Sequence, residues 1–216
     1  MCKRLVVSPH YYRVVQREDV EVLRDDIDRV EPGGVRTADG TLHEIDVLVL
    51  ATGFQAHLFM RPMEVTGEGG VTIDEAWSGD HKTNYRTVAV PGFPNLFMIL
   101  GPNSPLGNVS LFPAAEAQVG YIMRWIEKWR AGEVATMAPT PEATERFDEL
   151  LDRETQSTIY VTGCDSYQLD PGGRPFLWPD TPAAFHELMR EPVMDDFEVR
   201  SGPAVGAPES GGAARG

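Results

Sequence analysis

The chain is poor in cysteine, in basic residues and in long apolar runs. Two cysteines among 216 residues, Cys2 and Cys164, cannot build a disulfide framework, so a reduced, cytoplasmic setting is the expectation. The five histidines are scattered, and no Cys/His cluster has zinc-site spacing. Nineteen Lys and Arg stand against 33 Asp and Glu, a net charge of −14. That balance disfavours nucleic acid and anionic membrane surfaces as partners. No apolar run approaches the ~20 residues needed to span a bilayer. The run Leu5 to Val7 behind Lys3 and Arg4 is too short for a signal peptide. No Gly-x-Gly-x-x-Gly turn occurs, so the motif that seats a dinucleotide pyrophosphate on a helix N-terminus is missing. No nucleophile elbow is present either, and Ser104, His81 and Asp46 do not make a triad.

Hydrophobic content of 42% and charged content of 24% are those of a globular protein with one core, or one and a half. Leu5 to Val7 reads as a short strand, His10 to Gln16 as a brief helix and Val20 to Leu23 as another strand. Gly33-Gly34 and Asp39-Gly40 are hairpin turn signals. With Val35 to Thr37 between them, they predict a β-meander that feeds a strand over Ile45 to Ala51. Residues 55–90 read as irregular, with a turn near Gly67, Gly69 and Gly70.

The spacing of Val119, Ile122, Ile126 and Trp129 predicts a helix over Pro113 to Arg130 with those side chains on its core face. Gly132 supplies the stop. Pro141, with Glu142 and Glu145 behind it, opens another helix to about Gln156. Residues 181–191 suggest a last one. In the tail from Ser201, 13 of 16 residues are Gly, Ala, Pro or Ser, a composition expected to be disordered.

Two segments carry the functional signal. Asp46 to Phe54 and Gly92 to Asn103 are each a short apolar run that ends in Gly with small or polar neighbours. Such runs read as strands buried on both faces, and ligands of open α/β sheets bind at the carboxyl ends of such strands. A Gly there lets a flat ligand approach the main chain. Added to these are Cys2 to Arg4, Tyr11-Tyr12, Ser104-Pro105, Gly163 to Ser166 and Trp178-Pro179.

In this order and spacing, from about residue 2 to 198, the set resembles the C-terminal part of flavin-dependent monooxygenases of the Baeyer–Villiger type, relatives of the flavin-containing N- and S-oxygenases. The resemblance implies an α/β chain holding part of a two-dinucleotide-binding flavoprotein fold. A β-meander and buried strands would be packed by helices, and the N-terminal Rossmann half would be absent. Residues 1–25 would end the NADP-binding domain, and residues 26–198 would form the C-terminal part of the FAD-binding domain. Residues 199–216 would be the tail.

The implied reaction is FAD- and NADPH-dependent oxygenation with O₂, either beside the carbonyl of a small ketone or on the nitrogen or sulfur of an amine or sulfide. Both cofactors would bind only once the missing half, in a longer frame or a separate N-terminal chain, is supplied. The isolated chain would be inactive, and the competing reading is a non-catalytic truncated product or a flavin-free interaction domain.

Residue by residue, the resemblance makes Arg4 the catalytic cation at the flavin and places Lys3 at the NADPH ribose phosphate. It places Asp46, Thr52, Gly53, Phe54, Gly101, Pro102 and Asn103 at the flavin. Ser104, Pro105 and Leu106 would line the substrate pocket. Gly163 to Ser166 and Trp178-Pro179 would be structural.

Overall fold

A computed structural model describes residues 7–107, 109–163 and 166–201. Lys3, Arg4, both cysteines, most of the Leu5 to Val7 run and the tail beyond Ser201 lie outside the described residues. The chain divides into two compact units, one within Leu5–Gln55 and the other beginning at Ala56.

The first unit is the meander. After a one-turn helix α1 (Tyr11–Val14) come β1 (Ile27–Glu31), β2 (Gly34–Thr37) and β3 (Leu42–Glu44), antiparallel in that order. Gly33 and Gly40, at φ +95° and +89°, make the two reversals, as their sequence context predicts. Arg36 bridges from β2 to Glu31 on β1 at 2.7 Å and holds that carboxyl down at about 2.

Two expectations for this unit fail. Val20 to Leu23 is not a strand, and β3 stops at Glu44. The run Val47 to Leu50 is 44–79% exposed rather than buried, and it pairs with nothing among the described residues. An apolar strand is stable only when both its backbone edges and its faces are covered, and no described strand covers these.

The second unit is α/β, with its core between helices and a two-stranded ladder. Its elements are α2 (Ile73–Ala76), α3 (Phe112–Arg130), β4 (Thr136–Pro139), α4 (Pro141–Thr155), α5 (Pro182–Leu188) and β5 (Phe197–Arg200). β4 pairs antiparallel with β5 in the register Met137 to Val199. Thr140 and Thr181 cap α4 and α5 by accepting from Ala143 N and Ala184 N, each followed by Pro in the first turn. Trp125, Tyr121, Phe147, Phe185, Leu151 and Phe197 form the main core. A smaller cluster gathers Ile73, Trp77, Val90, Phe93 and Met98.

Helix α3 forms where the periodicity places it, but rotated. Its buried side is Ala114, Gln118, Tyr121 and Trp125, while Val119 and Ile126 are 42% and 36% exposed. The packed stripe lies one residue, about 100°, from the apolar stripe. The polar Gln118 takes a core position because hydrogen-bond partners meet it there. Leu96 to Leu100 is not a strand either. Left-handed backbone at Asn95 (φ +59°) and Leu100 (φ +56°) breaks the extension at both ends, and the amides of Leu96, Met98 and Leu100 go to Phe93 O, Val88 O and the Gln118 side chain rather than to a neighbouring strand.

Candidate functional site

The residues singled out by sequence fall in two places. Asp46, Thr52, Gly53 and Phe54 lie in the irregular end of the first unit, all exposed, with Phe54 at 100%. Gly53 has φ +89° and open space where a side chain would point, so its backbone is accessible to a flat ligand.

Gly101, Pro102, Asn103 and Ser104 lie in the second unit and are buried. Their loop opens on Leu100 at φ +56° and carries Asn103 at φ +63°, a backbone region that non-glycine residues rarely take. A Cβ on Gly101 would collide with the carbonyl oxygen of Thr87, so only glycine fits there.

A buried polar network holds this loop. Gln118 of α3 accepts from Leu100 N at 2.8 Å and donates to the hydroxyls of Thr87 and Ser104, each at 2.8 Å. Asn84 accepts from Thr87 N at 2.8 Å and donates to Asn103 Oδ1 at 3.1 Å. Asn103 passes the chain on to Pro175 O at 3.4 Å. All five side chains belong to residues no more than 2% exposed. The Asn103 and Ser104 side chains are therefore spent on the protein, and what the loop can offer a ligand is backbone. The amides of Gly101 and Asn103 make no hydrogen bond among the described residues.

The loop runs between two cavities of the second unit. Pro102 and Asn103 wall one of about 260 Å³ together with His57, Lys82, Asp170 and Phe176. Leu106 and Gly107 wall another of about 280 Å³ together with Tyr160, Leu177, Trp178 and Pro179. Of the three expected substrate-pocket residues, Leu106 lines a cavity, whereas Ser104 is turned to Gln118. Trp178 is buried, donates its indole N–H to Thr181 O at 3.0 Å and packs edge-on against Phe185, the structural part expected of it.

Sequence reasoning missed Asn84, Thr87 and Gln118. A Gln beside the apolar stripe of an amphipathic helix was the one available signal.

Among the described residues, no group of His, Cys, Asp and Glu could hold a metal ion, and no helix is long and apolar enough to cross a membrane.

No protein-family model matches the chain. An uncharacterized monooxygenase of Mycobacterium tuberculosis is 47% identical over 208 residues, covering 96% of this chain and 42% of that protein. A Baeyer–Villiger monooxygenase of Streptomyces coelicolor is 32% identical over 211 residues, 95% of this chain and 40% of that protein. Cyclohexanone monooxygenase from Rhodococcus sp. Phi1, solved bound to NADP+, superposes with a TM-score of 0.77 at 32% identity, over 93% of this chain and 39% of that one. The chain thus spans about two fifths of the length of the relatives it matches.

Proposed function

We propose an FAD- and NADPH-dependent oxygenation role for this chain, which corresponds to part of a Baeyer–Villiger-type flavin-dependent monooxygenase. The observation that carries the reading is the loop Gly101 to Ser104. It is a strained backbone held rigid from behind, with two amides that make no hydrogen bond among the described residues. Such amides suit the carbonyl-rich edge of a flavin.

When bound, FAD supplies the redox chemistry with NADPH and O₂. The chain's own residues orient and enclose. Gly101, Pro102 and Asn103 would present backbone to the ring, Leu106 would form an apolar wall for a small ketone, amine or sulfide, and Arg4 would offer a cation where negative charge develops. Lys3 offers a compact cation for the phosphate of NADPH. A Gly-x-Gly-x-x-Gly turn commonly seats such a pyrophosphate and these 216 residues lack one, so a complementing N-terminal portion belongs to the proposal.

The test is to record the visible spectrum of the purified chain, alone and complemented by the remaining portion of the M. tuberculosis relative, and then to assay ketone-dependent NADPH consumption with product mass analysis. The expected result is no retained flavin alone and a yellow, oxygenating protein when complemented. A complemented protein that folds and binds no flavin would overturn the reading.

A further inference from the structure

We propose that Gln118 is the positioning residue of this site. Its carboxamide locks the strained Leu100–Ser104 loop against the turn at Thr87 and so fixes the backbone presented to the flavin. The inference rests on the flavin reading above for its last clause only.

Three contacts define the lock. Leu100 N–H can only donate, so the Gln118 oxygen faces it and the Gln118 nitrogen must face the hydroxyls of Thr87 and Ser104. One side chain therefore ties both ends of the loop, and the turn beneath it, to the middle of a 19-residue helix. Two of the three residues it ties have unfavourable backbone: Thr87 has φ +63° and Leu100 φ +56°. Arg86, beside Thr87, and Asn103, beside Ser104, have φ +47° and +63°. Strain of this kind persists only where surrounding bonds over-determine it, and it marks positions where backbone placement matters. Gln118 is itself fully buried. A polar side chain at the core face is costly unless all its groups are engaged, and an apolar residue of equal length would fill the same space. What the carboxamide adds is placement of the loop.

Two variants separate placement from packing. Gln118→Met keeps the length and removes every hydrogen bond. Gln118→Glu keeps an acceptor for Leu100 N and, while the introduced carboxyl is neutral, a donor for one hydroxyl. Burial raises the pKa of that carboxyl, so it serves at pH 5 and is penalised as it ionises toward pH 8.

Amide hydrogen exchange on the chain alone is the first readout. Gln118→Met should speed exchange at Leu100 and Ser104 by about tenfold or more, while amides of α4 and β1–β3 keep their protection. Gln118→Glu should restore the loop at pH 5 and lose it at pH 8. Unchanged protection in Gln118→Met, loss spread evenly over the second unit, or a Gln118→Glu variant no better at pH 5 than Gln118→Met would each overturn the lock.

The second readout is the flavin absorption band and reduction potential of the complemented protein. Both should shift in Gln118→Met and return in Gln118→Glu at pH 5. Loosened loop amides with an unmoved flavin band would overturn the flavin-facing part. Absence of bound flavin in the parent would instead defeat the proposed function, with the exchange result still deciding the lock.

Discussion

His81 Nε2 lies 2.8 Å from Asp148 Oδ1, across 67 residues of sequence. Arg174 bonds the same carboxylate at 2.9 Å and the Asp148 carbonyl at 3.0 Å, and Asp170 stands 3.4 Å from the other His81 nitrogen. This network ties the segment before Lys82, the middle of α4 and the turn before Pro175 into one piece. Burial alone would raise the Asp148 pKa, but its hydrogen bonds from His81 and Arg174 outweigh burial and bring it below the usual carboxylate range. A carboxyl with a lower pKa folded than unfolded stabilises the fold above its unfolded value, about 4. That contribution is lost as pH falls through the folded value. Thermal unfolding from pH 7 to pH 3 should show a falling midpoint below about pH 4. Asp148→Asn should start lower at pH 7 and fall less steeply. Equal slopes in the two proteins would show that the network does not control acid stability.

Gly101→Ala should destabilise the second unit by ~1–3 kcal/mol, the range for overpacking at a fixed contact. The obstacle is the Thr87 carbonyl, which is backbone and cannot rotate away. Thr87 is held in turn through Asn84 and Gln118. Denaturant unfolding followed by tryptophan fluorescence reads this out. A variant as stable as the parent would show that the loop has slack.

Tyr121 predicts the opposite sign. Its hydroxyl is buried in a residue of 0% exposure and makes no well-formed hydrogen bond among the described residues. Burial pushes its pKa up to about 12, against a weak interaction with the indole N–H of Trp125 that lowers it slightly. Removing an unsatisfied polar atom while keeping the ring costs nothing in packing and recovers lost hydration energy. Tyr121→Phe should leave stability unchanged or raise it by ~1 kcal/mol. A loss larger than that would reveal a partner for the hydroxyl.

The local features were legible because short-range chemistry decides them. Gly33 and Gly40 set the meander, and Thr140-Pro141 and Thr181-Pro182 set two helix starts. What was not legible depends on partners far along the chain. Val47 to Leu50 has the composition of a buried strand and lies exposed, because burial depends on neighbouring strands that the segment cannot specify. The core face of α3 was read one position off because apolarity, without partners, points to Val119 and Ile126. The observed face is selected by Gln118 meeting Thr87, Leu100 and Ser104. The loop Gly101 to Ser104 was found from its glycine and proline, but the side chains that hold it were not.

Exposed apolar backbone at Val47 to Leu50 also has a consequence in solution. An unpaired apolar segment is a template for association between chains. The chain should therefore self-associate with rising concentration, and Val49→Lys, at a position 79% exposed, should raise the monomer fraction. Sedimentation velocity over a concentration series measures this. A parent chain monomeric throughout would argue that the segment is harmless.

The functional reading also gives separate roles to two cations, Arg4 and Lys3. In the complemented protein, Arg4→Ala should abolish oxygenated product while the flavin spectrum stays. A guanidinium needed only where negative charge develops acts on the transition state, so turnover falls more than substrate affinity. Lys3→Ala should instead raise the apparent Michaelis constant for NADPH with little effect on NADH, because only NADPH carries the ribose 2′-phosphate. The loss should match a charge-assisted contact, ~1.5–3 kcal/mol. Paired titrations of both nucleotides, with product analysis, decide between the two roles and the plain alternative of solvated surface groups. Product formed at the parent rate by Arg4→Ala would remove Arg4 from the chemistry. Equal losses with NADPH and NADH in Lys3→Ala would remove Lys3 from phosphate recognition.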